Sequence, residues 1–172
     1  MIKLRGRVWK FGKNIDTDRI ISGRYVSGVD PTIYAKHVME AADPGFACKI
    51  TPGDIIVADT NFGCGSSRES APLAIKHAGI AAVIATNFAR TFYRNAINIA
   101  LPILESEDAF EGTRDGEELE INTLQGVIRN ISTGTEFTFE PFNEMVQQIM
   151  AKGGLEAFVA DQLARRKGIQ DE

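Results

Sequence analysis

Continuous apolar runs alternate with helix-compatible stretches through the first two thirds of the chain. Residues 3–11 alternate loosely around Val8 and Trp9 and predict a first strand. Residues 54–59 and 80–86 are near-continuous apolar runs, the pattern of strands buried on both faces. Residues 100–104 predict a further short strand. Between these runs, residues 71–78 read as a helix that Gly79 stops. Residues 88–97 read as a second helix, with Phe88, Phe92 and Ala96 on one face at spacings of four. Arg90 and Arg94 fall on another face, which reads as solvated or partner-facing. Strand, helix, strand, helix, strand in this order predicts parallel β-α-β units.

The flanking segments are less regular. Residues 12–18 form a polar loop in which Asp16 and Asp18 read as turn residues, two aspartates being too few hard ligands for calcium. Residues 20–30, with Gly23 and Gly28, read as loop. Pro31 opens a predicted helix through residue 42 that carries a half-buried His37, and Asp43-Pro44-Gly45 stops it. Residues 107–116 are polar and turn-rich. Residues 118–122, 126–131 and 135–139 predict a meander of short strands. Helices follow over 142–150 and 155–164, parted by Gly153-Gly154, and a charged tail is expected to fray from about residue 165. The expected fold class is α/β: a mostly parallel sheet with helices, joined to a smaller antiparallel layer, as one domain over residues 1–172.

Composition narrows the function classes. At 172 residues, 44% hydrophobic and 24% charged, the chain suits one globular domain able to bury a core. A net charge of −4 argues against bulk nucleic-acid binding. No apolar run approaches the ~20 residues of a membrane span, and Met1-Ile2-Lys3-Leu4-Arg5 lacks the apolar region of a signal peptide. Two cysteines, Cys48 and Cys64, make no disulfide framework, so a reducing cytoplasm is expected.

The candidate chemistry lies between the strand 54–59 and the helix 71–78, in Asn61-Phe62-Gly63-Cys64-Gly65-Ser66-Ser67-Arg68-Glu69-Ser70. Gly63 and Gly65 allow positive φ or close approach of a ligand. N–H groups entering the helix have no helical partner and can face an anion. Arg68 adds a planar fork that matches carboxylate or phosphate. Familiar templates fail here. A phosphate-cradling loop needs a closing Gly-Lys-Ser/Thr, a dinucleotide fingerprint needs a small residue where Arg68 stands, and a nucleophile elbow needs glycines where Cys64 and Arg68 stand. A serine hydrolase would need a histidine near Ser66, and His77 lies about three helical turns away. A helix begun at Ser66 puts Pro72 past its first turn, whereas one begun near Ser70 tolerates it. Spacing alone leaves a functional anion site and a structural turn as alternatives.

Gly65-Ser66-Ser67-Arg68-Glu69 resembles the signature of the swivelling domain of the aconitase superfamily. Residues 12–18, 61–72 and 87–98 together are similar to one branch of it, the stand-alone small subunits of 3-isopropylmalate dehydratase and homoaconitase. The resemblance covers about residues 3–160. It implies a three-layer β/β/α swivelling domain and a hydro-lyase that dehydrates and rehydrates a hydroxy dicarboxylic acid. It further implies Ser66 as the base, Ser67 and Arg68 as substrate-carboxylate binders, and Asp18 as an orienting carboxylate. The family's Lewis acid is an iron of a [4Fe–4S] cluster, which takes three protein thiolates in the aconitase case. Cys48 and Cys64 are too few and wrongly spaced, so the chain is expected to bind no metal itself. The cluster is expected on a large-subunit partner, in a heterodimer or heterotetramer. A carboxylate- or phosphate-binding module without catalysis is the alternative of another class.

In similar small subunits a loop near residues 24–28 lies over the substrate's variable arm. Arginine at its third position goes with homoaconitase and an apolar residue there with isopropylmalate. Arg24, Tyr25, Val26 and Ser27 depart from both patterns. Ser27 cannot neutralise a carboxylate, so a short alkyl arm is favoured: isopropylmalate, hence leucine biosynthesis, before methylmalate or dimethylmalate.

Overall fold

The computed structural model describes residues 3–26 and 31–170. Its frame is a seven-stranded mixed sheet in the order β4-β3-β2-β1-β5-β6-β7. β1 (Lys3–Phe11), β2 (Ile55–Ala58), β3 (Ala82–Ala85) and β4 (Ile103–Glu105) pair in parallel. β5 (Glu118–Asn122), β6 (Val127–Asn130) and β7 (Glu136–Thr138) are antiparallel to their neighbours. The two halves share β1. Its residues Lys3 to Arg7 pair with β5, and Val8 to Phe11 pair with β2. The division follows the sequence, because every residue of β2 and β3 is buried whereas β5 alternates.

Helices connect the parallel strands: α4 (Ser70–His77) joins β2 to β3 and α5 (Arg90–Asn98) joins β3 to β4. Phe88, Phe92 and Ala96 are buried together, and Arg90 and Arg94 are exposed. Trp9 of β1 donates its indole N–H to Asp54 Oδ2 at 2.8 Å, and the same oxygen accepts the Thr51 N–H at 2.9 Å. A buried carboxylate thereby joins β1 to the turn before β2. Trp9 and Phe11 meet Phe46 of α3 (Phe46–Lys49) edge-on, at centroid distances of 5.2 and 5.6 Å.

Five segments differ from the sequence reading. The loop 12–18 runs into a short α1 (Thr17–Ile20), and a 3-10 turn occupies Gly23–Tyr25. The helix opened by Pro31 ends early, as α2 (Pro31–Lys36). Met39 then takes φ 56° and gives its N–H to the Ile20 carbonyl at 2.7 Å, which pulls the backbone off the helical path. The polar stretch after β4 contains α6 (Glu107–Gly112), whose first turn is capped by the Ser106 hydroxyl accepting from Ala109 N–H. After α7 (Glu144–Lys152), α8 (Leu155–Gln170) continues past the expected end at residue 164.

Candidate active site

Parallel strands end on one edge, and the loops leaving β1, β2 and β3 meet there, the usual place for a ligand in such sheets. Single parallel bridges tie Asp16 to Cys64 and Phe62 to Phe88. Gly63 N–H donates to the Ile15 carbonyl at 2.7 Å, and Thr17 N–H to the Cys64 carbonyl at 2.8 Å. Three asparagines brace the same edge. Asn61 N–H donates to Asn87 Oδ1 at 2.8 Å, and Asn61 Nδ2 to Asn14 Oδ1 at 2.9 Å. Asn14 and Asn61 both hold positive φ, 56° and 64°, which asparagine tolerates better than most residues.

The turn itself needs its glycines. Gly63 has φ 77°, and a Cβ there would lie 2.2 Å from Phe92 Cγ. Phe92 belongs to an aromatic platform under the turn, 5.3 Å from Phe62 and 6.1 Å from Phe88 between centroids. Gly65, at φ 92°, lies against Asp16 and Thr17 instead. Ser66 and Ser67 are exposed. The Ser66 carbonyl accepts from the Thr17 hydroxyl at 3.1 Å, which leaves the Ser66 side chain outside that contact. α4 begins at Ser70 with Pro72 in its first turn, and Glu69 makes no side-chain cap. The N–H groups of Ser66, Ser67, Arg68 and Glu69 donate to no acceptor among the described residues. An exposed hydroxyl pair thus sits with free N–H groups at a helix N-terminus, a setting that favours negative charge.

Arg68 lies across this turn. Its Nη1 donates to Asp18 Oδ1 at 2.5 Å, with Arg68 the less exposed partner at 30% against 60%. The guanidinium also passes over the 3-10 turn, 3.2 Å from where a Gly23 Cβ would stand. The structure therefore brings Asp18, Ser66, Ser67 and Arg68 into one neighbourhood from two distant segments. Arg24 and Tyr25 border it, and Ser27 lies outside the described residues. Sequence reasoning passed over Thr17, the asparagine brace and the contact of Tyr25 with His37. For the brace alone, asparagine just past the ends of β1 and β2, a residue type that tolerates positive φ, was the available signal.

Cys64 is half-buried within the turn. Burial, and then the neighbouring Asp16 carboxylate, push its thiol up from the usual range. Cys48 stands exposed in α3. Among the described residues no group of three or more His, Cys, Asp or Glu could hold a metal ion. A cluster held by three protein thiolates does not fit a donor set of two separated cysteines. Among those residues, too, no helix is long and apolar enough to cross a membrane.

Residues 10–108 match the aconitase C-terminal domain family. The chain belongs to that family. It is 52% identical over 166 residues to a protein of Heliobacterium modesticaldum named 3-isopropylmalate dehydratase small subunit, covering 96% of this chain and 100% of that one. A methanogen homoaconitase small subunit of Methanothermobacter thermautotrophicus is 53% identical over 88% of each chain. The crystal structure of a 3-isopropylmalate dehydratase from Methanocaldococcus jannaschii matches with a TM-score of 0.89 at 42% identity, covering 99% of this chain and 98% of that one. The α/β architecture and the small-subunit resemblance read from the sequence are those of these relatives.

Proposed function

We propose that the chain is the small subunit of a hydro-lyase of the 3-isopropylmalate dehydratase type, working in the cytoplasm in leucine biosynthesis. The observation that carries this reading is the exposed Ser66–Ser67 turn beside the Arg68–Asp18 pair, in a chain with full-length relatives of that name. The substrate is a 2- or 3-hydroxy dicarboxylic acid. Arg68 binds one substrate carboxylate through its fork, Asp18 fixes the plane of that fork, and Ser67 adds a hydrogen bond. Ser66 takes the proton from the carbon α to a carboxylate and returns it on rehydration. A free hydroxyl is too weak a base for this near neutral pH. The unpaired N–H groups, the α4 N-terminus and Arg68 stabilise its anion. Departure of the neighbouring hydroxyl calls for a Lewis acid, which a [4Fe–4S] cluster on a separate large subunit supplies when bound.

The test is co-expression with a large subunit, followed by gel filtration, iron analysis and assay. Each subunit alone should be inactive and the iron should stay with the large one. Robust dehydratase turnover by this chain alone would sink the reading, and a co-purified but inactive complex would favour a carboxylate-binding module. A homoaconitase small subunit is the second reading, resting on the 53% identical methanogen relative. Higher kcat/KM for homoaconitate than for isopropylmalate, methylmalate and dimethylmalate would select it.

A further inference from the structure

A group of side chains beside the Arg68–Asp18 pair has no part in the chemistry above. The Tyr25 ring stacks on the His37 imidazole with centroids 3.7 Å apart and planes 6° from parallel. His37 Nδ1 shares a hydrogen bond with Glu40 Oε2 at 2.8 Å. Arg24 lies over the Tyr25 ring, its guanidinium carbon 4.6 Å from the ring centroid, and its Nη2 is 3.6 Å from Glu40 Oε1. Hydrogen bonding from His37, then from Tyr25, with the charges of His37 and Arg24, holds the Glu40 carboxyl below the usual range. One cavity of about 340 Å³ is lined by Asp18, Arg24, Tyr25, His37 and Glu40. Asp18 is also the partner of Arg68, so this cavity adjoins the substrate-carboxylate site proposed above.

We propose that Glu40 and His37 are positioning residues for substrate choice. Glu40 engages Arg24 and thereby withholds its charge from the arm of the substrate, while His37 fixes the Tyr25 ring that the arm meets. The inference rests on the hydroxy-dicarboxylate reading. A lone exposed ion pair holds a side chain weakly. Arg24 is held by a carboxylate and a ring face together, and Glu40 in turn by His37. With Arg24 spoken for, the cavity offers a compensated pair, and a substrate arm ending in carboxylate would lose water without gaining a cation. An alkyl arm needs only the ring and the cavity wall. Without the Glu40 charge, Arg24 becomes a free fork at the cavity rim.

The test uses the complex with its large subunit, comparing wild type, Glu40→Gln, Arg24→Ala and the double variant. Steady-state kinetics are read with isopropylmalate and with homoaconitate, which carries the extra carboxylate. Glu40→Gln should raise the homoaconitate-to-isopropylmalate ratio of kcat/KM about tenfold, through KM, since charge-assisted hydrogen bonds are worth at least that factor. The gain should vanish in the double variant, a dependence that a merely structural role of Glu40 would not produce. His37→Ala, which unseats the Tyr25 ring while the Glu40 charge stays beside Arg24, should raise KM for isopropylmalate and improve homoaconitate less than Glu40→Gln does. An unchanged ratio in Glu40→Gln, or a gain that survives Arg24→Ala, overturns the inference. Failure of the underlying reading would show differently, as no turnover by the wild-type complex with either acid. The same ratio is then read from calorimetric dissociation constants, so the inference stands or falls separately.

Discussion

Arg68 owes its orientation to a carboxylate fifty positions away in the chain, and that dependence separates its substitutions. Arg68→Lys keeps the charge but loses the fork, and one ammonium cannot serve Asp18 and a substrate carboxylate in the same plane. KM for the hydroxy acid should rise about 10–100-fold, the worth of a charge-assisted hydrogen bond, with a smaller change in kcat. Ser66→Ala should show the opposite split. Assembly with the large subunit and KM should hold, while turnover falls about 10²–10⁴-fold, the usual contribution of a general base. Near-normal turnover would remove Ser66 from that role. Cys64 needs no such role, being packed in the turn with its thiol pushed up by burial. Iodoacetamide should therefore label the exposed Cys48 first, and Cys64→Ser should assemble and turn over almost as wild type, read by peptide mass mapping and assay.

At the scale of elements the turn between β2 and α4 is shaped from below. Gly63→Ala would need positive φ and would press a methyl group into Phe92, whose Cγ lies 2.2 Å from the new Cβ. A loss of roughly 2–5 kcal/mol should follow from the two effects together, visible as a lowered urea midpoint. The strands and helices on either side of this turn were legible because burial on both faces leaves unbroken apolar runs, and spacings of four mark the inner face of α5. The Ser66–Arg68 turn was legible for the same reason, lying between two clear elements. Other parts were hidden for identifiable causes. α6 begins with Glu107 and Asp108, which suit a helix N-terminus as well as a polar turn, and only Ser106 ahead of them marked the cap. α2 stops at Lys36 because Met39 bonds back to Ile20, a tertiary contact without local signature. The asparagine brace joins residues 26 and 47 positions apart, and no periodicity carries such a contact.

For the molecule as a whole, acid should be the weak direction. Glu117 is held below its ordinary 4.5, first by the Arg114 N–H and then by Asn130, and Glu118 likewise, first by its hydrogen bond to Arg5. Folded carboxyls with depressed values contribute stability that is present above the unfolded value and lost as pH falls through the folded one. Thermal midpoints should thus stay level down to about pH 5 and decline below about 4.5, and Glu117→Gln should make the decline shallower. An equally steep decline in that variant would contradict the assignment. The division of β1 between two half-sheets bears on how the chain is made. Val8 to Phe11 find β2 soon after synthesis, but Lys3 to Arg7 wait for β5, and Arg5 meets Glu118 across 113 positions. A nascent chain that has left the ribosome only as far as β4 carries an open flank along its first strand. Until β5 arrives, that flank is a docking edge for any neighbouring chain.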